Sequence, residues 1–460
     1  HGALEETWVG HGLSSLCSPD GAGRPILRPS AQTRQRPLPG WRACAIIPVA
    51  LHEKGVRAAA DQPDMTTGRR YRALYAYAWD LAEEPADAFA AEMHRLSIDT
   101  LSIAASYHDG KFIRPHGRSG HVHFPQDGTV HCRITPERYG RVRPLESRIA
   151  VESDPFGAFA ARGDIAVNAW TVLMHNTRLG RLNPEIVVRN AFGDPYWYSL
   201  CPSHPDARAF AVALCADIAD RYPIRGLSLE TPGWLPYQHG YHHEFALIGA
   251  NPWLDFNLGL CFCDHCLAGA RSAGIDAHGL KDRVAGRVRS YLAASMDTPP
   301  TIGRAWLEAD LVQDAELGAF LRWRCDVVTS LVAEIRAAVR ADAELFVIPS
   351  VQRPSAACWS EGSDLAALAV TADGVELCLY EPSPAAVLAD FGEVRRRLGA
   401  AARLRAILRP GPPDFAEEGP FAAAIAGLHA AGLDDFAFYN YGHVRRSNLE
   451  WIGRAFAGLD

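Results

Sequence analysis

The chain has 460 residues, 48% hydrophobic and 22% charged, the balance of a globular protein with a sizeable core. Its net charge of −7 argues against nucleic acid or an anionic membrane surface as a partner. No apolar run reaches the ~18 residues needed to cross a bilayer. The 11 cysteines are scattered, many inside apolar stretches, and read as free thiols of a reducing compartment, so a cytoplasmic location is expected.

Residues 1–64 are rich in Pro, Gly, Arg and Ser and lack periodicity. They read as disordered, or as an extension upstream of a start at Met65. From Tyr71 the pattern alternates between strand and helix. Arg72–Trp79 reads as a strand ending at Asp80, and 85–96 as an amphipathic helix. Thr100–Ala105 is a second strand ending at Tyr107 and His108. A polar excursion over 109–153 is too long for an ordinary connection. Ile165–Leu173 is a third strand, containing Trp170 and ending at His175 and Asn176. Ile224–Leu229 is a fourth, ending on Glu230, with Pro232 and Gly233 breaking it at once. An insertion follows over about 231–320. Further strands are expected at 344–349, 375–380, 404–408 and 435–439, ending at Glu381, at Arg409, and at Asn440 with Tyr441. Eight units over roughly 390 residues, with apolar strands lacking clean alternation, predict an α/β fold: a (β/α)8 TIM barrel with long βα-loop insertions over 65–460. An open doubly wound sheet would want a glycine-rich fingerprint after its first strand, and A-W-D-L-A-E-E has none.

In a barrel all strand tips converge on one mouth, so Asp80, His108, His175, Asn176, Glu230, Glu381, Arg409, Asn440 and Tyr441 become neighbours. The alternative is that they cap loops. Glycosidic cleavage needs an acid for the leaving oxygen and a second carboxylate ~5–5.5 Å away for retention or ~6.5–9.5 Å for inversion. Glu230 as nucleophile or base and Glu381 as acid form the expected pair. Glu244 competes for either role, or orients Glu230. Trp170, Trp234 and Tyr380 are candidates to stack on sugar faces, and His242 and His243 to bind hydroxyls; Trp170 and Tyr380 could equally pack in the barrel core. The run L-C-F-C-D-H-C places Cys261, Cys263 and Cys266 at a spacing that can wrap a tetrahedral zinc. Its fourth ligand would be His265, Cys201 or a residue of the H-G-Y-H-H loop, and the alternative is a trio of partly buried thiols.

The segments S-Y-H-D-G-K-F, A-W-T-V-L-M-H-N-T-R-L-G, N-A-F-G-D, L-S-L-E and L-C-F-C-D-H-C carry a resemblance to glycosyl-hydrolase-like barrel proteins of bacteria, from Tyr71 to the C-terminus. The resemblance implies a barrel with a carbohydrate-directed site. The cysteine run is also similar to the structural zinc site of some microbial β-galactosidases. One departure stands out. Retaining β-glycosidases of the large clan place Asn before the acid after strand four and a nucleophile after strand seven. Here Leu229 precedes Glu230 and strand seven ends in Arg409. Carboxylates after strands four and six look more like the α-galactosidase arrangement.

The resulting expectation is a glycoside hydrolase acting on a small glycoside or oligosaccharide, requiring no cofactor beyond a structural zinc. Two rivals remain: a metal-dependent sugar isomerase or lyase with His175, Glu230, His242 and Glu244 as ligands, and a non-catalytic carbohydrate-binding barrel.

Overall fold

The computed structural model describes residues 70–239 and 246–459. Eight parallel strands close on themselves in sequence order: β1 (Arg72–Ala76), β2 (Thr100–Tyr107), β3 (Ala166–Val172), β4 (Gly226–Glu230), β5 (Glu344–Ile348), β6 (Gly374–Cys378), β7 (Leu404–Leu408) and β8 (Phe436–Phe438). β8 pairs back onto β1, and helices follow the strands, so the fold is a (β/α)8 TIM barrel. All eight residues of β2 are buried, because helices cover the outside while side chains fill the inside.

Most strand ends shift by one or two residues from the sequence reading, and two differ by more or for a structural reason. β1 stops at Ala76, and Ala78–Leu81 forms a helical turn, with the Asp80 and Leu81 amides both donating to the Tyr77 carbonyl. β2 runs on to Tyr107 because a short strand, Thr129–Val130, pairs antiparallel with its last residues. The long excursion after β2 is therefore partly sheet. The insertion after β4 holds the helices Pro252–Gly259, Asp264–Ser272, Ala277–Leu292 and Pro300–Gln313, which share a second apolar core. The helix Ala315–Ala338 follows, capped by Asp314, whose side chain accepts from the Leu317 amide. Its buried face carries Phe320, Arg324, Val328, Leu331 and Ile335 at three-to-four spacing.

The barrel interior is partly polar. Asn168 donates to the Ser102 and Ser228 hydroxyls at 3.1 and 2.9 Å, and Ser228 in turn donates to Glu376. The Arg405 guanidinium lies between the Tyr71 and Phe346 rings, 3.6 and 3.5 Å from their centroids, and pairs with Glu344 at 2.6 Å. Among the described residues, no helix is long and apolar enough to cross a membrane.

Candidate active site

Glu230 is the last residue of β4, a half-buried residue at the C-terminal mouth of the barrel. The Trp170 indole N–H, from the neighbouring β3, donates to its Oε2 at 2.5 Å. Burial pushes the Glu230 carboxyl up to about 7, against the opposing pull of that hydrogen bond. Trp170 is itself held edge-on by Tyr75 and Tyr107, with ring centroids at 5.1 and 4.8 Å. A hydroxyl chain closes the same wall: Tyr77 meets Tyr107 at 3.2 Å, Tyr439 at 3.0 Å and His443 at 3.2 Å. The Glu230 charge acts on Tyr107, on Cys378 and Tyr380, and on Tyr439, which come from three different strand ends. Trp170→Phe removes the one donor opposing burial. It is expected to raise the Glu230 carboxyl by a further ~1–2 pH units. Carboxyl-carbon NMR titration reads this directly; an unmoved midpoint would show that the indole does not hold the carboxylate.

A second buried carboxylate, which the sequence reading missed, feels the Glu230 charge. Glu361 ends a 3-10 helix, Ser355–Glu361, in the β5 loop. It is 3% exposed, and its Oε1 accepts from the Ser350 hydroxyl, just beyond the tip of β5. β4 and β5 are paired with Glu230 opposite Ile348, so the two loops start side by side. Burial raises the Glu361 carboxyl to about 7, hydrogen bonds from Ser350 and two loop amides oppose this, and the Glu230 charge raises it again. Gly362 turns the chain at φ 84°, and a Cβ there would stand 2.9 Å from the Trp234 ring. The only sequence signal was an acidic residue before a glycine, which no strand-tip search selects.

Glu381 faces other groups. It lines an open cavity of about 670 Å³ with Arg353, Pro382 and Asp414. Burial and then Asp390 raise its carboxyl, Arg353 lowers it, and Asp414 raises it again. Glu230 is not among these influences. Arg409 ion-pairs with Asp414 rather than Glu381, and its guanidinium lies 4.3 Å over the Tyr380 ring.

The remaining strand-tip residues divide. His108 stacks on His175 at 4.0 Å, and His175 faces His239 at 5.7 Å and Tyr198 at 6.2 Å, forming an imidazole and phenol wall. Asn176 caps the helix Thr177–Leu182 by accepting from the Leu179 amide at 2.8 Å. Asn440 accepts from the Gly442 amide at 2.9 Å, and the Tyr441 hydroxyl donates to Glu84 at 2.7 Å. Trp234 is 1% exposed and packs under Arg324, 4.6 Å from its guanidinium. His242, His243 and Glu244 lie outside the described residues.

Asp80 is buried and ion-paired with Arg114 at 2.6 Å, both side chains being less than 5% exposed. Burial pushes its carboxyl up to about 6 against the pull of Arg114. Arg114→Ala strands this carboxylate and is expected to cost ~3–5 kcal/mol at pH 8. At pH 5 Asp80 takes up a proton and the loss shrinks. Urea unfolding at the two pH values checks this, and an equal loss at both would contradict it.

The cysteines form a distinct centre. Cys201, Cys261, Cys263 and Cys266 are all buried, with their sulfurs within 4.8 Å of one another. Cys201 stands 3.5 Å from Cys266, 3.6 Å from Cys263 and 3.9 Å from Cys261. Thiolates ~2.3 Å from a tetrahedral zinc stand ~3.8 Å apart, which these spacings match. The Arg189 amide points at Cys261 at 3.5 Å, and Ser203 lies 3.3 Å from Cys266. His265 packs instead on the His204 ring at 4.3 Å. Among the described residues, this is the only group of three or more His, Cys, Asp or Glu side chains placed to hold a metal. His175 and Glu230 form no such group with any described residue.

No family model matches the chain, and no curated protein matches it. Among solved structures, the glycoside hydrolase domain of PgaB (BpsB) from Bordetella bronchiseptica is similar over 81% of this chain and 94% of its own, at 14% identity and a TM-score of 0.52. That likeness shows a shared barrel fold. An α-L-fucosidase isoenzyme 2 from Paenibacillus thiaminolyticus matches 85% of this chain and 49% of its own, at 13% identity and a TM-score of 0.49. A β-galactosidase from the psychrophilic Marinomonas ef1 matches 85% of this chain and 59% of its own, at 13% identity and the same TM-score of 0.49. The chain thus spans about half to three fifths of the length of these last two.

Proposed function

We propose that the chain is a glycoside hydrolase in which Glu230 protonates the leaving oxygen. The carrying observation is a carboxyl raised to about 7 at the mouth of a barrel, within a wall of aromatic rings and hydroxyls. A general acid must keep its proton near neutral pH, and burial against an indole is one way to arrange that. This reverses the role expected for Glu230 from sequence, because its degree of burial was not readable there. Tyr380 and Tyr439, both half-buried, are candidates to stack on sugar C–H faces and to bond sugar oxygens, with Tyr107 packed behind them. Glu361 is the favoured second carboxylate, because the Glu230 charge raises its carboxyl whereas Glu230 is absent from the influences on Glu381. Glu381, on its own open cavity, is the competing choice. The barrel shared with a glycoside hydrolase domain supports the reading without carrying it. The test is turnover of a panel of aryl α- and β-glycosides by wild type, Glu230→Gln, Glu361→Gln and Glu381→Gln. Equal rates in all four would end the carboxylate mechanism.

The four cysteines are proposed to bind a structural zinc. Their sulfur spacing and the amide aimed at Cys261 fit a closed tetrathiolate site with no position left for substrate.

A further inference from the structure

A buried guanidinium lies on the helix that packs against the cysteine centre. Arg324 is 1% exposed, its Nε has no hydrogen-bond partner, and among the described residues no carboxylate ion-pairs with it. Burying a cation without an opposite charge is strongly unfavourable. Its neighbours on the helix show what it faces. Phe320, one turn earlier, stacks on Phe262 at 5.4 Å and 6°, and Phe262 lies between Cys261 and Cys263 in sequence. Trp323 stands 2.7 Å from where a Cβ on Gly269 would be, one turn beyond Cys266. The Trp234 ring contributes a π face at 4.6 Å, which is weaker than a formal charge. Burial pushes the Arg324 guanidinium down, and the groups that oppose this are Cys266, Cys325, Cys261 and Cys201, three of them members of the centre.

Four thiolates around a divalent cation leave excess negative charge in a dry core, and an unpaired arginine beside them supplies the missing opposite charge. We propose that Arg324 is the internal counter-charge of the metal–tetrathiolate centre and a positioning residue for it. The inference rests on the zinc reading above. It also assigns the buried arginine a reason to be charged that the barrel itself does not provide.

The test measures zinc content by elemental mass spectrometry, then the rate of zinc transfer to a chromogenic chelator, for wild type, Arg324→Met and Arg324→Lys. Arg324→Met fills the space without charge and is expected to release zinc at least ~10-fold faster than wild type. Arg324→Lys keeps the charge and is expected to stay within ~3-fold of wild type, because a point charge suffices for a non-bidentate role. Should Arg324→Met not fold, Arg324→Gln replaces it; recovery of folding by added zinc counts for the proposal, and failure regardless of zinc counts against it. If Met and Lys variants behave alike, whether slow or fast, charge is not the role of Arg324 and the proposal falls. Wild-type protein that holds no zinc sinks the metal reading instead, so the two failures are distinguishable.

Discussion

Glu230→Gln is expected to lower kcat/KM by ~10²–10⁴-fold on an alkyl glycoside, whose leaving group needs a proton. On a dinitrophenyl glycoside, whose leaving group departs unaided, the same variant is expected to keep most of its activity. Gln fills the volume of Glu and still accepts the Trp170 N–H through its amide oxygen, so binding geometry survives while the proton is lost. Wild-type activity should fall as pH rises through about 7, where Glu230 loses its proton, and the residual activity of the variant should lack that limb. Equal losses on both leaving groups would remove Glu230 from the role of acid. The variant should also be more stable than wild type in alkaline solution. A carboxyl whose folded value is raised stabilises the fold fully below its unfolded value of ~4.3 and loses that contribution as pH rises through about 7. Glu230→Gln is therefore expected to gain up to ~3 kcal/mol above pH 8 and nothing below pH 4, by urea unfolding.

Loss of the proposed zinc is expected to have the largest effect on stability. Structural zinc sites contribute their binding energy directly to folding, and the centre joins the segment around Cys201 to the start of the helical insertion. Prolonged chelation, or Cys201→Ser, is expected to lower Tm by on the order of 10 °C and to remove the bound zinc. Cys325→Ser, outside the centre, should do neither, since Cys325 is half-buried and not part of the sulfur cluster. A melting temperature that chelation leaves unchanged, in a protein shown to contain zinc, would mean that the ion does not support the fold.

Much of the barrel was legible in order along the chain. The strand at 404–408 was read to the residue, and the others to within a few positions, because parallel strands covered on both faces are short apolar runs between helices. Glu230 could be singled out because an acid at the end of an apolar run, with Pro232 and Gly233 just beyond Thr231, ends a strand abruptly. Three of the four cysteines were legible because they sit within six residues of one another, from Cys261 to Cys266. Cys201 was one of several candidates until the antiparallel pair Val187–Arg189 and Pro195–Leu200, just before it, met the insertion through the Phe262 amide, which donates to the Arg189 carbonyl.

The fates of the strand-tip residues were not legible. Asp80, Asn176, Arg409 and Tyr441 all stand near strand ends, yet their side chains are taken by Arg114, a helix amide, Asp414 and Glu84. Polar residues at loop starts serve ligands and loop caps with the same chemistry, so composition cannot separate the two.

Sequence alone thus determined the barrel, the acid at the end of β4 and the cysteine run, since each is written in residues close together along the chain. Tertiary structure alone decided that Glu361 feels the Glu230 charge, that Cys201 joins the other three sulfurs and that these cysteines act on Arg324. Those pairings join segments more than fifty residues apart. The proton affinity of Glu230 likewise depends on how many atoms crowd around it, a quantity that exists only once the chain has closed.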